Sequence, residues 1–233
     1  RACVAAGLTF IGPSPEVLET FGDKGKARTL AEAVGVPIVT GTGGASDLEH
    51  IKAFFGGLPK GAAMMIKAIA GGGGRGMRIV REAGEIDAAF AACQREAQAA
   101  FGNNAVYAER LIEKARHIEV QVAGDGTHVV AVGERDCSLQ RRNQKIVEIA
   151  PAPNLDEATR KKLHAASVKL CEAVAYRSVG TVEFLLDAAS GDFAFIETNA
   201  RLQVEHTITE EVTGIDLVRT QFELAAGKTL SAL

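Results

Sequence analysis

Apolar and polar positions alternate along this chain with two different periods, and the switches between them mark the elements. Apolar residues fall three and four apart at Ile86, Ala89, Phe90 and Cys93, which predicts a helix over 85–101. Strict alternation over 117–122 predicts a strand, turned back at Gly124-Asp-Gly126 into a second strand over 127–134. A further strand is expected over 145–150 and a long amphipathic helix over 155–175. Strands over 181–187 and 193–199 read as a hairpin across 188–192, and a last helix over 215–226 is closed by Gly227. Upstream, 5–11 reads as the end of a helix and a strand. Ser14 caps a helix with Pro15 at its first position, Asp23 caps a second that stops near Gly35 ahead of Pro37, and Ser46 caps a third over 47–55. An apolar strand over 62–69, a glycine-rich stretch over 70–76 and strands over 77–81 and 106–112 complete the order. Hairpins mixed with helices predict an α+β fold with antiparallel sheets in two lobes, a small one over 39–111 and a larger one over 112–233, with 1–38 leading into them.

Composition narrows the class. The 233 residues are 47% hydrophobic and 24% charged, ordinary values that exclude disorder, collagen and coiled coil for the whole chain. No apolar run reaches about 18 residues, so no membrane span is expected. A net charge of −3 argues against a nucleic-acid-coating surface. The four cysteines form no C-x-x-C pair, which argues against zinc or a disulfide scaffold and for free thiols in a reducing cytoplasm. The chain opens at Arg1 inside an element, without a signal segment, so a fragment of a larger protein is expected.

Several residues stand where chemistry is needed. In Lys67-Ala-Ile-Ala-Gly-Gly-Gly-Gly-Arg-Gly-Met77, glycines join strand to strand. Backbone amides there can approach phosphate oxygens, although a flexible hairpin tip has the same composition. Lys67 on an apolar strand needs an anion or a route to solvent. His117, Glu119 and Gln121 share one face of their strand, a pattern that an ordinary solvated sheet face also gives. In the hairpin, a turn centred on Ser190 sets Asp187 against Phe193, Leu185 against Phe195 and Glu183 against Glu197. Two opposed carboxylates repel, a conflict relieved if divalent cations sit between them, with Asn199 adding an oxygen on the same face. Arg201 can fork onto an oxyanion, and Glu205 can serve as a general base if its pKa is raised. The run Gln140-Arg-Arg-Asn143-Gln-Lys145 adds anion-binding groups, although each of these charges is also compatible with a surface salt-bridge face.

The glycine loop, the run Glu134-Arg-Asp-Cys-Ser-Leu-Gln-Arg-Arg-Asn-Gln-Lys145 and the run Phe195-Ile-Glu-Thr-Asn-Ala-Arg-Leu-Gln-Val-Glu-His206 together resemble the biotin carboxylase component of biotin-dependent carboxylases, in the ATP-grasp superfamily. The stretch from Glu205 to Val218 is most similar to the forms in pyruvate carboxylase and multidomain acyl-CoA carboxylases. The resemblance covers the chain from about Phe10 onward. It implies an ATP-grasp α+β fold truncated at both ends: 1–38 the remnant of an N-terminal lobe and helical linker, 39–111 the lid, 112–233 part of the C-terminal subdomain. It implies a ligase that uses MgATP to phosphorylate bicarbonate and passes the carboxyl group to biotin. Lys24 and Lys67 would hold ATP phosphates, Gly73 and Gly74 would lie in the lid, and Glu109, Arg110, Leu111 and Ile112 would edge the adenine and ribose. His117, Gln140 and Glu183 would contact the nucleotide. Glu183, Glu197 and Asn199 would hold Mg²⁺ or Mn²⁺. Lys145, Arg201, Gln203 and the Val204 amide would position bicarbonate, Glu205 would deprotonate it, and Arg201 would steady carboxyphosphate and the biotin enolate. Implied partners are a biotin carboxyl carrier domain, a carboxyltransferase and further copies in a homo-oligomer, with neither nucleic acid nor membrane. The family usually has His where this chain has Asn143, which alters a nucleotide contact. Two other readings share parts of the pattern: another ATP-grasp ligase such as a carbamoyl-phosphate synthetase module, and a non-catalytic nucleotide-binding module.

Overall fold

A computed structural model describes residues 1–70, 76–141 and 144–232. In chain order the helices are α1 (Ala2–Ala5), α2 (Pro15–Gly22), α3 (Lys24–Ala33), α4 (Leu48–Gly56), α5 (Ile86–Phe101), α6 (Glu157–Glu172), α7 (His206–Thr213) and α8 (Leu217–Ala225). The strands are β1 (Met64–Ala68), β2 (Met77–Val80), β3 (Val106–Arg110), β4 (Ala115–Asp125), β5 (Val129–Arg141), β6 (Gln144–Ile149), β7 (Arg177–Asp187) and β8 (Phe193–Asn199). Two compact units result, Val39–Glu113 with Gln140–Gln144, and the remainder of the described chain.

The smaller unit holds a three-stranded sheet in the order β2-β1-β3, both pairs antiparallel. Met64, Ile66 and Ala68 alternate into the buried side of β1. Met64 and Ile66 pack there with Ile51 of α4, Ile86 and Cys93 of α5, Val80, Val106 and Ala108. α4 starts one residue later than expected. Asp47, not Ser46, caps it, accepting from the His50 amide at 2.8 Å, while the Ser46 hydroxyl donates to the Gly44 carbonyl at 2.8 Å. A carboxylate is the stronger acceptor for an amide at a helix's positive end.

The larger unit is built on a five-stranded sheet ordered β6-β5-β4-β7-β8, with β4–β5, β4–β7 and β7–β8 antiparallel. Ile118, Val120 and Val122 of β4 face a core with Val182, Phe184, Phe195, Leu163 and Leu170 of α6, Val17 and Phe21 of α2, and Ala27 and Ala31 of α3. α2 and α3 begin as the caps dictate: Ser14 Oγ accepts from Val17 N, and Asp23 Oδ1 accepts from Gly25 N and Lys26 N. The opposite side of β4 carries His117, Glu119 and Gln121, and Glu119 and Gln121 there are fully buried rather than solvated. Beyond Gln121 that side becomes apolar, with Ala123 and Val179 packed on Leu217 and Leu224 of α8. Gly124 is required where β4 ends, because a Cβ there would sit 2.2 Å from the Tyr176 carbonyl oxygen.

Two other expectations are corrected. Residues 8–11 form no strand: Leu8, Phe10 and Ile11 are exposed, and no strand among the described residues pairs with them. A strand without a partner leaves its amides and carbonyls unpaired, so sequence propensity alone does not form one. In the β7–β8 hairpin, Glu183 does pair with Glu197, but Leu185 pairs with Ala194 and Leu186 with Phe193. The register shifts between Glu183 and Phe184, so the turn-proximal pairs differ by one residue from those a regular ladder gives.

Candidate active site

The paired strands β7 and β8 set Glu183 opposite Glu197 and Thr181 opposite Asn199, so both carboxylates and the amide lie on one face of the sheet. Glu183 is buried and accepts from four side chains, three at Oε1 and one at Oε2. Oε1 accepts from Asn199 Nδ2 at 2.8 Å, Gln203 Nε2 at 3.0 Å and Lys145 Nζ at 3.2 Å, and Oε2 lies 2.6 Å from His117 Nε2. Burial alone would raise its pKa, but His117 and Lys145 outweigh burial and hold the carboxyl down at about 2. Glu197 is more open and has Lys24 Nζ at 3.8 Å. The opposed carboxylates are therefore tolerated through protein cations, and the repulsion by itself does not demand a metal. What favours a hard divalent ion is the donor set, two carboxylates and an amide oxygen on one face, which fits Mg²⁺ or Mn²⁺.

Lys145 of β6 is the hub of the site. Its ammonium donates to Glu119 Oε2 at 2.5 Å, Glu205 Oε1 at 2.6 Å and Glu183 Oε1 at 3.2 Å. Burial would lower its pKa, yet the charges of Glu183 and Glu119 push it well above the usual lysine value, so the cation is fixed. Glu205 sits at the N-cap of α7, and burial favours its neutral form, but the Lys145 hydrogen bond brings its pKa below the ordinary glutamate value. The condition set for a general base at Glu205, a raised pKa, is not met here, because Lys145 stabilises the ionised form.

The turn between β8 and α7 carries the other expected groups. Arg201 donates through Nη2 to Asn199 Oδ1 at 3.2 Å and through Nη1 to Gln203 Oε1 at 3.3 Å, and its side chain is exposed. Val204 is 91% exposed, and His206 Nδ1 lies 2.7 Å from the Gln203 carbonyl, closing the turn. Lys24, His117, Lys145, Glu183, Glu197, Asn199, Arg201, Gln203, Val204 and Glu205 thus all belong to the larger unit.

Two residues behind this set were missed by sequence reasoning. Glu119 and Arg135 are both 0% exposed and bonded to each other, and the register places them directly opposite across β4 and β5. Glu119 had been assigned only a share in a polar strand face. An opposite-charge pair at 119 and 135 was the available signal, but it appears only if the hairpin carries the register shift found between Gln121 and Val122.

In the smaller unit, Lys67 reaches the Glu109 carboxylate, so the anion it needs is supplied within the sheet. Arg110 N donates to the Thr40 carbonyl at 2.8 Å and Leu111 N to that of Ala63 at 2.8 Å, which fixes the segment holding Glu109, Arg110, Leu111 and Ile112. Gln140 belongs to this unit and is exposed. Gly73, Gly74 and Asn143 lie outside the described residues.

A family model described as the carbamoyl-phosphate synthase L chain, ATP binding domain, matches residues 23–233. The chain belongs to this family. As such an ATP-binding domain it is 50% identical over 232 residues to the pyruvate carboxylase of Bacillus subtilis (strain 168), a match covering 99% of this chain and 20% of that protein. It is 49% identical over 235 residues to the biotin carboxylase of Halalkalibacterium halodurans, covering 99% of this chain and 51% of that one. Among solved structures, the biotin carboxylase domain dimer of Hydrogenobacter thermophilus 2-oxoglutarate carboxylase, in complex with MgADP, ADP and bicarbonate, superposes with a TM-score of 0.92. That match is at 43% identity and covers 99% of this chain and 51% of that one. The ATP-binding domain therefore spans about half the length of the biotin carboxylase it matches and a fifth of the pyruvate carboxylase. The expected ATP-grasp α+β fold and the resemblance to biotin carboxylases are both borne out.

Proposed function

We propose that this ATP-binding domain is part of a biotin carboxylase, an ATP-dependent ligase that forms carboxyphosphate from MgATP and bicarbonate and carboxylates biotin on a carrier domain. The observation that carries the reading is the grouping of Lys145, Glu205, Gln203 and Arg201 beside the Glu183–Glu197–Asn199 face, within one compact unit. Cations that now bind carboxylates are poised to exchange them for substrate anions.

Lys24 and Lys67 neutralise phosphate oxygens, each leaving a glutamate partner to do so. Glu109 to Ile112, His117 and Gln140 hold the nucleotide. Glu183, Glu197 and Asn199 would hold Mg²⁺ or Mn²⁺, which would screen the charge on the transferring phosphoryl group. Lys145 and Arg201 draw bicarbonate to the turn, where Gln203 and the Val204 amide orient it. Bound bicarbonate competes with Glu205 for Lys145. As that hydrogen bond weakens, burial raises the proton affinity of Glu205, which then accepts the bicarbonate proton. A bicarbonate oxygen attacks the γ-phosphorus and ADP leaves. Carboxyphosphate breaks down to CO₂ and phosphate, the phosphate takes the N1′ proton of biotin, and the enolate so formed, steadied by Arg201, attacks CO₂ to give carboxybiotin.

The carrier domain and a carboxyltransferase are the partners this chemistry requires, and a homo-oligomer is the expected assembly. No described helix is long and apolar enough to cross a membrane. The cytoplasm is the compartment this reading expects. The test is ADP release by the full-length protein in bicarbonate-depleted buffer. ADP release that requires added bicarbonate and rises with free biotin supports the reading. A rate indifferent to bicarbonate, or carbamoyl phosphate as the product when ammonia is supplied, overturns it.

A further inference from the structure

Arg135 takes no part in the steps above, yet it is among the largest fully buried side chains of the described residues. An ionised guanidinium out of water is costly unless its donors are matched. Here they are matched by four side chains. Nε donates to Glu119 Oε1 at 2.5 Å, Nη1 to Thr209 Oγ1 at 2.7 Å and to Gln121 Oε1 at 3.0 Å, and Nη2 to Thr181 Oγ1 at 3.3 Å. These partners come from β4, β7 and α7.

The contacts close a ring. Thr209 lies one turn into α7, whose N-cap is Glu205. Glu205 accepts from Lys145, Lys145 donates to Glu119 Oε2, and Glu119 Oε1 returns to Arg135. Arg135 thus grips the helix that carries Glu205 and, through Glu119, the ammonium that faces Glu205. A buried fork bonded to three elements holds their spacing far more tightly than a surface pair does. Resting on the biotin carboxylase reading, we propose that Arg135 is a positioning residue, which sets the placement of Glu205 and Lys145 for bicarbonate through its hold on Thr209 and Glu119.

The test uses steady-state kinetics of the full-length enzyme with bicarbonate and ATP varied separately. Thr209→Val keeps the shape of the side chain and removes only the acceptor, so folding is preserved while the grip on α7 is lost. The bicarbonate-dependent kcat is expected to fall about tenfold, the cost of one lost hydrogen bond to a charged group. The KM for ATP is expected to stay within about twofold, and Thr209→Ser, which restores the hydroxyl, to return kcat to within about twofold of the parent. Arg135→Lys, which keeps the charge but not the fork, is expected to lose about a hundredfold, as small misplacements of reacting groups do. A Thr209→Val enzyme with parental kcat, or one whose loss Thr209→Ser does not restore, overturns the proposal. If the parent enzyme itself shows no bicarbonate dependence, the biotin carboxylase reading fails first and this inference with it.

Discussion

Replacing Lys145 by Met removes one charge from the middle of three carboxylates. Its ammonium lies 2.5, 2.6 and 3.2 Å from oxygens of Glu119, Glu205 and Glu183, and the side chain is 19% exposed while that of Glu119 is wholly buried. At an effective dielectric constant of about 20, each contact at about 3 Å contributes roughly 5 kcal/mol of attraction before desolvation. Desolvation of the ammonium offsets most of that gain, and removing one partner of a buried pair costs about 3–5 kcal/mol. The pH dependence has a definite sign. Glu183 is held at about 2 against an ordinary 4.5, so its contribution is present above pH 4.5 and is lost as the pH falls toward 2. In Lys145→Met, Glu205 loses the hydrogen bond that lowers it and Glu183 keeps His117 but loses the second cation, so both protonate at higher pH than in the parent. The variant is therefore about 3–5 kcal/mol less stable near pH 7, and the gap from the parent narrows as the pH is lowered toward about 4. The chain has no tryptophan, so urea unfolding is followed by far-ultraviolet circular dichroism. A variant as stable as the parent at neutral pH, or a gap that does not change with pH, refutes the hub assignment.

Other outcomes follow from the same geometry. Asp23→Ala removes the acceptor for two amides at the start of α3, which begins with Lys24, and should cost about 1 kcal/mol by urea midpoint; no change contradicts the capping role. Gly124→Ala forces a Cβ to within 2.2 Å of a backbone oxygen, so a loss of about 1–3 kcal/mol or more is expected, and a neutral effect would show that β4 can shift away from Tyr176. Lys67→Met should weaken ATP binding about tenfold or more in a calorimetric titration of the full-length protein, and an unchanged Kd removes Lys67 from the phosphate site.

Local signals read from the chain alone were reliable where one residue decides the outcome. Ser14 and Asp23 start their helices as expected, because a side-chain acceptor beside free amides leaves little competition. The expected opposition of Glu183 and Glu197 is present, but it is reached through the register shift, since the pairs nearest the turn, continued regularly, would set Glu183 against Ile196. What was not legible depends on contacts distant in sequence. Residues 8–11 have strand-like composition but no partner among the described residues. The bulges after Gln121 and Glu183 change pairings that alternation predicts; Gly133, at φ 147° in β5, marks the first, and no such residue marks the second. The buried face of β4 was the largest omission. Glu119 looked like a solvated glutamate because Arg135, Lys145 and Thr209, which make its burial possible, come from three other elements. Whether Glu205 met the condition for a general base, a raised pKa, was not legible for the same reason, because the lysine that lowers it is 60 residues away.

The central claim is that the groups around Lys145 and Glu205 bring bicarbonate to the γ-phosphate of ATP. Incubating the full-length protein with MgATP and ¹⁸O-labelled bicarbonate, and weighing the phosphate released by mass spectrometry, tests it at the bond that forms. The account predicts one labelled oxygen in each phosphate, carried over from bicarbonate when carboxyphosphate breaks down. Phosphate that takes its oxygen only from water would mean that ATP is simply hydrolysed, and would contradict the account.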